Sequence, residues 1–108
     1  TAMSEARAAQ DIVEMLNEYF ELMVEIIFRY EGTLDKFIGD EIMAIFGAPV
    51  AHSDDPVRAV KTALEMMRAL RSFNRNRMAR AEEALEIGIG INTGEVVAGY
   101  LGSSKALE

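Results

Sequence analysis

The chain has no cysteine in its 108 residues, which excludes both a disulfide framework and a thiolate metal site. It has one histidine, His52, in a loop before Ser53 and Asp54, where an imidazole reads as solvated rather than catalytic. No apolar run reaches the about 18 residues that a membrane-spanning helix needs, and the longest is broken by Glu21 and Glu25. No signal-peptide pattern opens the chain. These absences fit a cytoplasmic setting with no direct membrane contact from this segment. Basic residues are also few, 11 Lys and Arg against 18 Asp and Glu, for a net charge of −7. An acidic surface repels nucleic-acid backbones, so no DNA or RNA partner is expected. A nucleoside triphosphate remains compatible, given metal ions to screen its phosphates.

What is present is enough for one packed domain, since half of the residues are hydrophobic. Residues from about Ser4 to Tyr30 read as an amphipathic helix. Ile12, Leu16, Tyr19, Phe20, Met23 and Ile27 recur at helical spacing, with Glu14, Glu18, Glu21 and Glu25 on the wet side. Ser4 or Asp11 would start it and Gly32 would stop it. A second helix is expected from Asp55 as cap and Pro56 at the first helical position. Its stripe reads Val57, Val60, Leu64, Met67 and Leu70, and it closes near Asn74. Arg68, Arg71, Arg75, Arg77 and Arg80 follow along it. They read as favourable charge at a helix C-terminus, with a phosphate-binding or partner patch as the alternative. Leu85, Ile87, Ile89 and Ile91 alternate with Glu86, Gly88, Gly90 and Asn92, the pattern of a strand with one nearly bare face. Asn92-Thr93-Gly94 would turn into a further strand over Glu95 to Leu101, and Gly102 to Glu108 show no period. The seven methionines read as core and interface filler that needs no cofactor.

The stretch most suggestive of chemistry is 32–47. Thr33 to Ile38 and Glu41 to Phe46 are strand-like runs around Gly39-Asp40, a two-residue hairpin turn with positive φ at the glycine. Simple alternation puts Leu34, Lys36 and Ile38 on one face, with Asp35 and Phe37 on the other. Asp40 stands at the tip and Lys36 shortly before it. A carboxylate on a rigid turn is well placed to hold a metal ion over a phosphate. The element order is α, ββ, α, ββ, an α+β sandwich with helices on one face of an antiparallel sheet.

The hairpin, the proline-initiated helix and Ile-Gly-Ile-Gly-Ile-Asn-Thr-Gly-Glu-Val-Val-Ala-Gly over 87–99 together resemble the class III nucleotidyl cyclases. The resemblance runs from Glu14-Met-Leu-Asn-Glu-Tyr-Phe20 to the last strand. It implies a ferredoxin-like core working as a head-to-tail homodimer with active sites at the subunit interface. It also implies conversion of ATP to 3′,5′-cyclic AMP and pyrophosphate with two Mg2+ or Mn2+ ions per site, in cyclic-nucleotide signalling. Asp40 matches the family's second metal aspartate and so a catalytic position. Lys36 matches the base-reading residue, and a lysine there points to adenine, since guanylate-specific relatives usually carry glutamate. Thr1 matches the threonine closing the phosphate-binding loop.

By the same resemblance, the first strand and first metal aspartate precede Thr1. The second base-reading residue and the transition-state asparagine and arginine follow Glu108. Residues 1–108 then represent a partial nucleotidyl cyclase catalytic domain, incomplete at both termini, with strand edges unpaired where the central first strand belongs. The 108 residues alone are expected to be inactive. Two alternatives carry different expectations. A diguanylate cyclase also bears a Gly-Asp-Glu hairpin, but Ile38-Gly39-Asp40-Glu41-Ile42 lacks the second glycine and aromatic of that signature. A non-catalytic dimerisation or regulatory module would bind no metal–nucleotide tightly.

Overall fold

The computed structural model describes the backbone of residues 2–95 and the side chains of residues 8–95. Helix α1 spans Ala2–Arg29. It starts before either expected cap because alanines 2, 6, 8 and 9, strong helix formers, let it extend past them. Ser4 lies in its first turn and Asp11 well inside it.

The end of α1 differs from expectation in a specific way. The left-handed residue is Glu31, at φ 61°, not Gly32. The Glu31 N–H donates to the Phe28 carbonyl at 3.0 Å and the Gly32 N–H to the Ile27 carbonyl at 2.9 Å, the paired bonds of a Schellman closure. Gly32 is needed one residue later for space: a Cβ there would stand 2.7 Å from the Phe46 ring and 2.9 Å from Ile27.

Strands β1 (Thr33–Ile38) and β2 (Glu41–Ile45) form an antiparallel pair around the Gly39-Asp40 turn, with Gly39 at φ 60°. The register pairs Leu34 with Ala44 and Lys36 with Met43, so Asp35 is an extra, unpaired residue in a bulge. This corrects the expected alternation. Ala44 and Met43 are neighbours on opposite faces, so Leu34 and Lys36 face opposite ways. Phe37 packs its ring on Phe20 of α1, centroids 4.9 Å apart.

Helix α2 spans Asp55–Ala79, with Asp54 rather than Asp55 at the N-cap position and no side-chain capping bond from it, and runs five residues past the expected end. Its close is a second Schellman motif on a non-glycine residue. Ala81 sits at φ 59°, with Ala81 N–H to Met78 O at 3.1 Å and Glu82 N–H to Arg77 O at 2.9 Å. The buried face also differs from the expected stripe. Val57, Val60, Leu64 and Met67 are exposed, and only Leu70 of that set is buried. The inward face carries Arg58 and Thr62, both buried, followed by Met66, Leu70 and Phe73. Two apolar rows coexist on this helix, and the one with polar members is the one the fold uses.

The helices are antiparallel neighbours. Tyr19 meets Phe73 edge-on at 6.4 Å between centroids, and Arg29 Nη1 reaches Glu65 Oε2 at 2.8 Å. In that register Ile12 falls level with the end of α2, which explains why Ile12, expected in the core stripe, is 54% exposed. The core is Tyr19, Met23, Ile26, Ile27 and Leu70, with Ile42, Leu85 and Ile87 packed against its rim.

Residues 82–95 contain no regular strand, contrary to the reading of 85–91. They are instead tied down by side chains. Asn74 donates to the Leu85 carbonyl at 2.9 Å and accepts from the Leu85 N–H at 2.8 Å, imitating a strand neighbour. Arg77 Nε donates to the Glu83 carbonyl at 2.7 Å. Leu85 and Ile87 are thereby held on the core, while Ile89 and Ile91 are exposed, because no strand among the described residues supplies a ladder. Thr1, the further strand expected after Glu95 and the tail lie outside the described residues. Among the described residues no helix is long and apolar enough to cross a membrane.

Candidate active site

The hairpin owes its placement to polar ties at its base. Thr33 Oγ1 donates to the Ala48 carbonyl at 2.6 Å, fixing the start of β1 to the loop that follows β2. Arg58 is the larger clamp. Its Nη1 donates to the carbonyls of Tyr30 at 2.6 Å and Glu31 at 3.4 Å, satisfying the C-terminal end of α1. Its Nε donates to Asp54 Oδ1 at 3.0 Å, and its Nη2 to Asp55 Oδ1. The guanidinium also lies 5.7 Å from the centroid of the Phe46 ring. One buried cation therefore connects the end of α1, the start of α2 and the exit of β2. The Arg58 hydrogen bond, aided by charge, holds the Asp54 carboxyl below its usual range. His52 sits in the same loop as expected, partly exposed. Its backbone N–H donates to Asp55 Oδ2 at 3.0 Å, and its imidazole lies between Glu31 and Asp55.

Above this base a gap of about 810 Å³ separates the hairpin and the first turns of α2 from residues 87–94, at the place where the resemblance expects the central first strand. Lys36 lines it, half-buried on β1. Asp40 does not; it is exposed at the tip of the turn. The two residues singled out from the sequence are thus separated within one chain.

Two neighbours escaped the sequence reading. Tyr19 was placed in the apolar stripe, and it is buried; its hydroxyl is pushed to higher pKa by that burial and, secondarily, by the negative charge of Asp40. Asp35 lines the gap, with Oδ1 buried and without a hydrogen-bond partner among the described residues. A residue of ordinary strand alternation gives no sign that it will become a bulge.

Among the described residues, no three His, Cys, Asp or Glu side chains gather as a metal site. Mg2+ prefers about six oxygen ligands in octahedral array. The single exposed carboxylate of Asp40 does not fit that demand by itself, so a cation at the tip requires ligands from outside the described residues.

The family model described as "Adenylate and Guanylate cyclase catalytic domain" matches residues 1–107. The chain belongs to that family. Among curated relatives, Adenylate cyclase 1 of Rhizobium meliloti (strain 1021) is 34% identical over 108 residues, covering 100% of this chain and 16% of the relative. The terminal-differentiation specific adenylate cyclase of Dictyostelium discoideum is 35% identical over 111 residues, again across 100% of this chain but 5% of the relative. The chain therefore spans a small part of the curated relatives it matches. Two solved structures share the cyclase fold. The guanylyl cyclase Cya2 superposes with a TM-score of 0.84 at 45% identity, over 92% of this chain and 50% of that one. The adenylyl cyclase CyaB from P. aeruginosa gives 0.86 at 33% identity, over 99% and 56%. The chain is thus an α+β unit built of two helices and a two-stranded hairpin among the described residues.

Proposed function

We propose that this chain is the hairpin-bearing part of an adenylate cyclase catalytic domain, which forms 3′,5′-cyclic AMP and pyrophosphate from ATP. The observation that carries the reading is the hairpin: Gly39 turns the chain so that Asp40 stands exposed at the tip while Lys36 is half-buried on β1, in a chain that the cyclase family model matches. A head-to-tail homodimer gives this separation a purpose, since Asp40 of one subunit and Lys36 of the other then serve one site. Lys36 donates from its ammonium to an acceptor nitrogen of adenine. Arg58 and Thr33 keep the hairpin, and so the distance between its two functional ends, fixed. Asp40 supplies one carboxylate toward Mg2+ or Mn2+, and Thr1 contributes to the phosphate loop. When bound, the metal ions would stabilise charge on the attacking and leaving oxygens of an in-line displacement. The setting is cytoplasmic nucleotide signalling.

A solved relative at 45% identity is a guanylyl cyclase, so base preference is the property to test. The test uses the catalytic domain that contains this chain, given ATP and GTP separately with Mn2+, with products resolved by chromatography. Cyclic AMP from ATP, with Lys36→Glu lowering the ATP-to-GTP ratio of kcat/KM at least about tenfold, supports the reading; a tenfold change corresponds to about 1.4 kcal/mol. Turnover of GTP to cyclic GMP that is indifferent to Lys36 refutes the role of Lys36. A linked dinucleotide product refutes the cyclase class proposed. No product and no Mn-ATP binding that depends on Asp40 would identify a non-catalytic module.

A further inference from the structure

We propose that the C-terminal half of α2 docks an acidic amphipathic helix of a partner protein, through a row of three arginines set between two exposed methionines. Charge is segregated in this chain: residues 66–81 hold five of the 11 basic residues and none of the 18 acidic ones. The fold then divides the five. Arg77 and Arg80 turn to Glu82, and Arg77 also donates to the Glu83 carbonyl at 2.7 Å and lies over the Phe73 ring. Arg68, Arg71 and Arg75 are exposed and make no ion pair among the described residues; Arg75 only donates to Ser72 Oγ at 3.0 Å. Spacings of three and four put them on one face of the helix, away from Leu70 and Phe73, which pack inward. With Ser72 they line one hollow on that face. Met67, 39% exposed, and Met78, 62% exposed, stand at the two ends of the row.

Charge and spacing identify the occupant. An unpaired guanidinium calls for an anion, and its planar fork suits a carboxylate. Arg68 and Arg75 are seven residues apart, about 10.5 Å along the axis at 1.5 Å per residue. A helix that crosses α2 at a shallow angle and carries Asp or Glu at spacings of three and four meets all three arginines at matched levels. The methionines are unbranched and polarisable, and they receive an apolar side chain beyond either end of the acidic row. Extended polyanions fit worse. A membrane or a nucleic acid lies across a broad surface, where the net charge of −7 and the exposed Glu14, Glu18 and Glu21 of the adjoining α1 repel it. A partner one helix wide meets the arginines without these glutamates. A free phosphate would use the guanidinium forks and leave both methionines bare. None of the three arginines lines the gap beside Lys36. The proposal therefore rests neither on the cyclase reaction nor on the dimer that shares its site.

The test is fluorescence anisotropy of a labelled probe, an alanine-based helical peptide with three glutamates at spacings of three and four and a leucine beyond each end of that row. Its control has the same composition with the glutamates spread around the helix. The expected result is saturable binding to the purified protein, at least about tenfold tighter for the patterned peptide than for the control. Binding should weaken between about 50 mM and 500 mM salt as the screening length shortens. Arg68→Glu with Arg71→Glu turns attraction into repulsion and should raise the Kd at least about tenfold. Arg68→Gln with Arg71→Gln removes charge without adding repulsion and should weaken binding by an intermediate factor. A peptide with lysines in place of the glutamates should bind the doubly reversed variant to within about threefold of the original pair, which an unfolded variant would not allow. No saturation by about 1 mM peptide, or equal affinity for the control, overturns the proposal. So does a Kd that neither arginine variant moves, which would place the peptide on another surface. Vesicles of phosphatidylcholine and phosphatidylserine, or inorganic triphosphate, that bind more tightly than the patterned peptide and depend on Arg68 and Arg71 also overturn it, and assign the row to a lipid surface or to a free anion.

Discussion

Replacing Arg58 should destabilise the fold more than its polar character suggests. The residue is 8% exposed and its guanidinium serves four oxygen partners. Removing one member of a buried, hydrogen-bonded charge cluster typically costs about 3–5 kcal/mol, chiefly because the other members are left unpaired. Two features reduce that figure here. Asp54 keeps 57% of its side chain in water and can be rehydrated. Asp55 cannot be to the same degree, with 17% exposed, nor can the inward carbonyls at the end of α1. We expect Arg58→Ala to cost about 3 kcal/mol, out of a total of order 5–10 kcal/mol for a domain of this size.

The assay is urea unfolding followed by circular dichroism, since the chain has no tryptophan. With a slope of about 1–1.5 kcal/mol per molar for a small domain, the midpoint should fall by about 2 M or more at unchanged slope. Arg58→Met separates the causes. It keeps the apolar stem against Phe46 but removes every donor, and should recover less than half of the loss. A loss below about 1 kcal/mol for Arg58→Ala, or full recovery by methionine, would refute the claim that hydrogen bonding by this cation holds the two helix ends and the hairpin exit together.

Three further outcomes are expected. Ala81→Gly should raise stability by about 0.5–1 kcal/mol, because a left-handed alanine costs about 1–2 kcal/mol and the glycine's extra freedom when unfolded returns part of it; an unchanged or lower urea midpoint would contradict the Schellman assignment. Tyr19 should ionise above the ordinary tyrosine value in an alkaline absorbance titration, and Asp40→Asn should bring it part of the way back. Its raised pKa means that the stability it contributes is fully present below the unfolded value of about 10 and is lost as pH rises through the folded value; a Tyr19 that titrates at or below the ordinary value would overturn this. Deleting Asp35 should leave Lys36 opposite Met43 and hold or raise stability by up to about 1–3 kcal/mol, since a regular ladder replaces a bulge carrying an unpartnered buried oxygen. A destabilisation above 1 kcal/mol, read by the same urea assay, would show instead that the hairpin needs the bulge for its twist.

Much of this fold is legible in the sequence because its signals are local. The Gly39-Asp40 turn, the Pro56 helix start and the acid-marked outer face of α1 each depend on a few neighbouring residues. The helix ends are less so. Both helices close on residues that normally avoid φ > 0, Glu31 and Ala81, so the glycine rule points to the wrong residue in α1 and to no residue in α2. The buried face of α2 fails for a related reason. Arg58 and Thr62 lower the apparent hydrophobicity of the true inward row, and the exposed Val57, Val60 and Leu64 raise that of the outer one. Arg58 is inside because it has oxygens to bind there, and those oxygens lie 27–28 residues earlier in the chain as well as three to four residues away. No window along the sequence contains that information.

The same limit falls on the candidate site, with a sharper consequence. Alternation along Thr33–Ile38 assigns Lys36 to the face of Leu34, and the ladder places it on the other. The cause is a single unpaired residue, Asp35. In a strand a one-residue slip exchanges the faces of every side chain beyond it. The bulge therefore decides which wall Lys36 belongs to, while the turn that presents Asp40 is set independently by Gly39. Identity of the chemical groups could be read from residue types. Their relative placement depends on one extra residue between them, and a carboxylate with a buried, unpartnered oxygen is an unfavourable choice for that position on stability grounds alone.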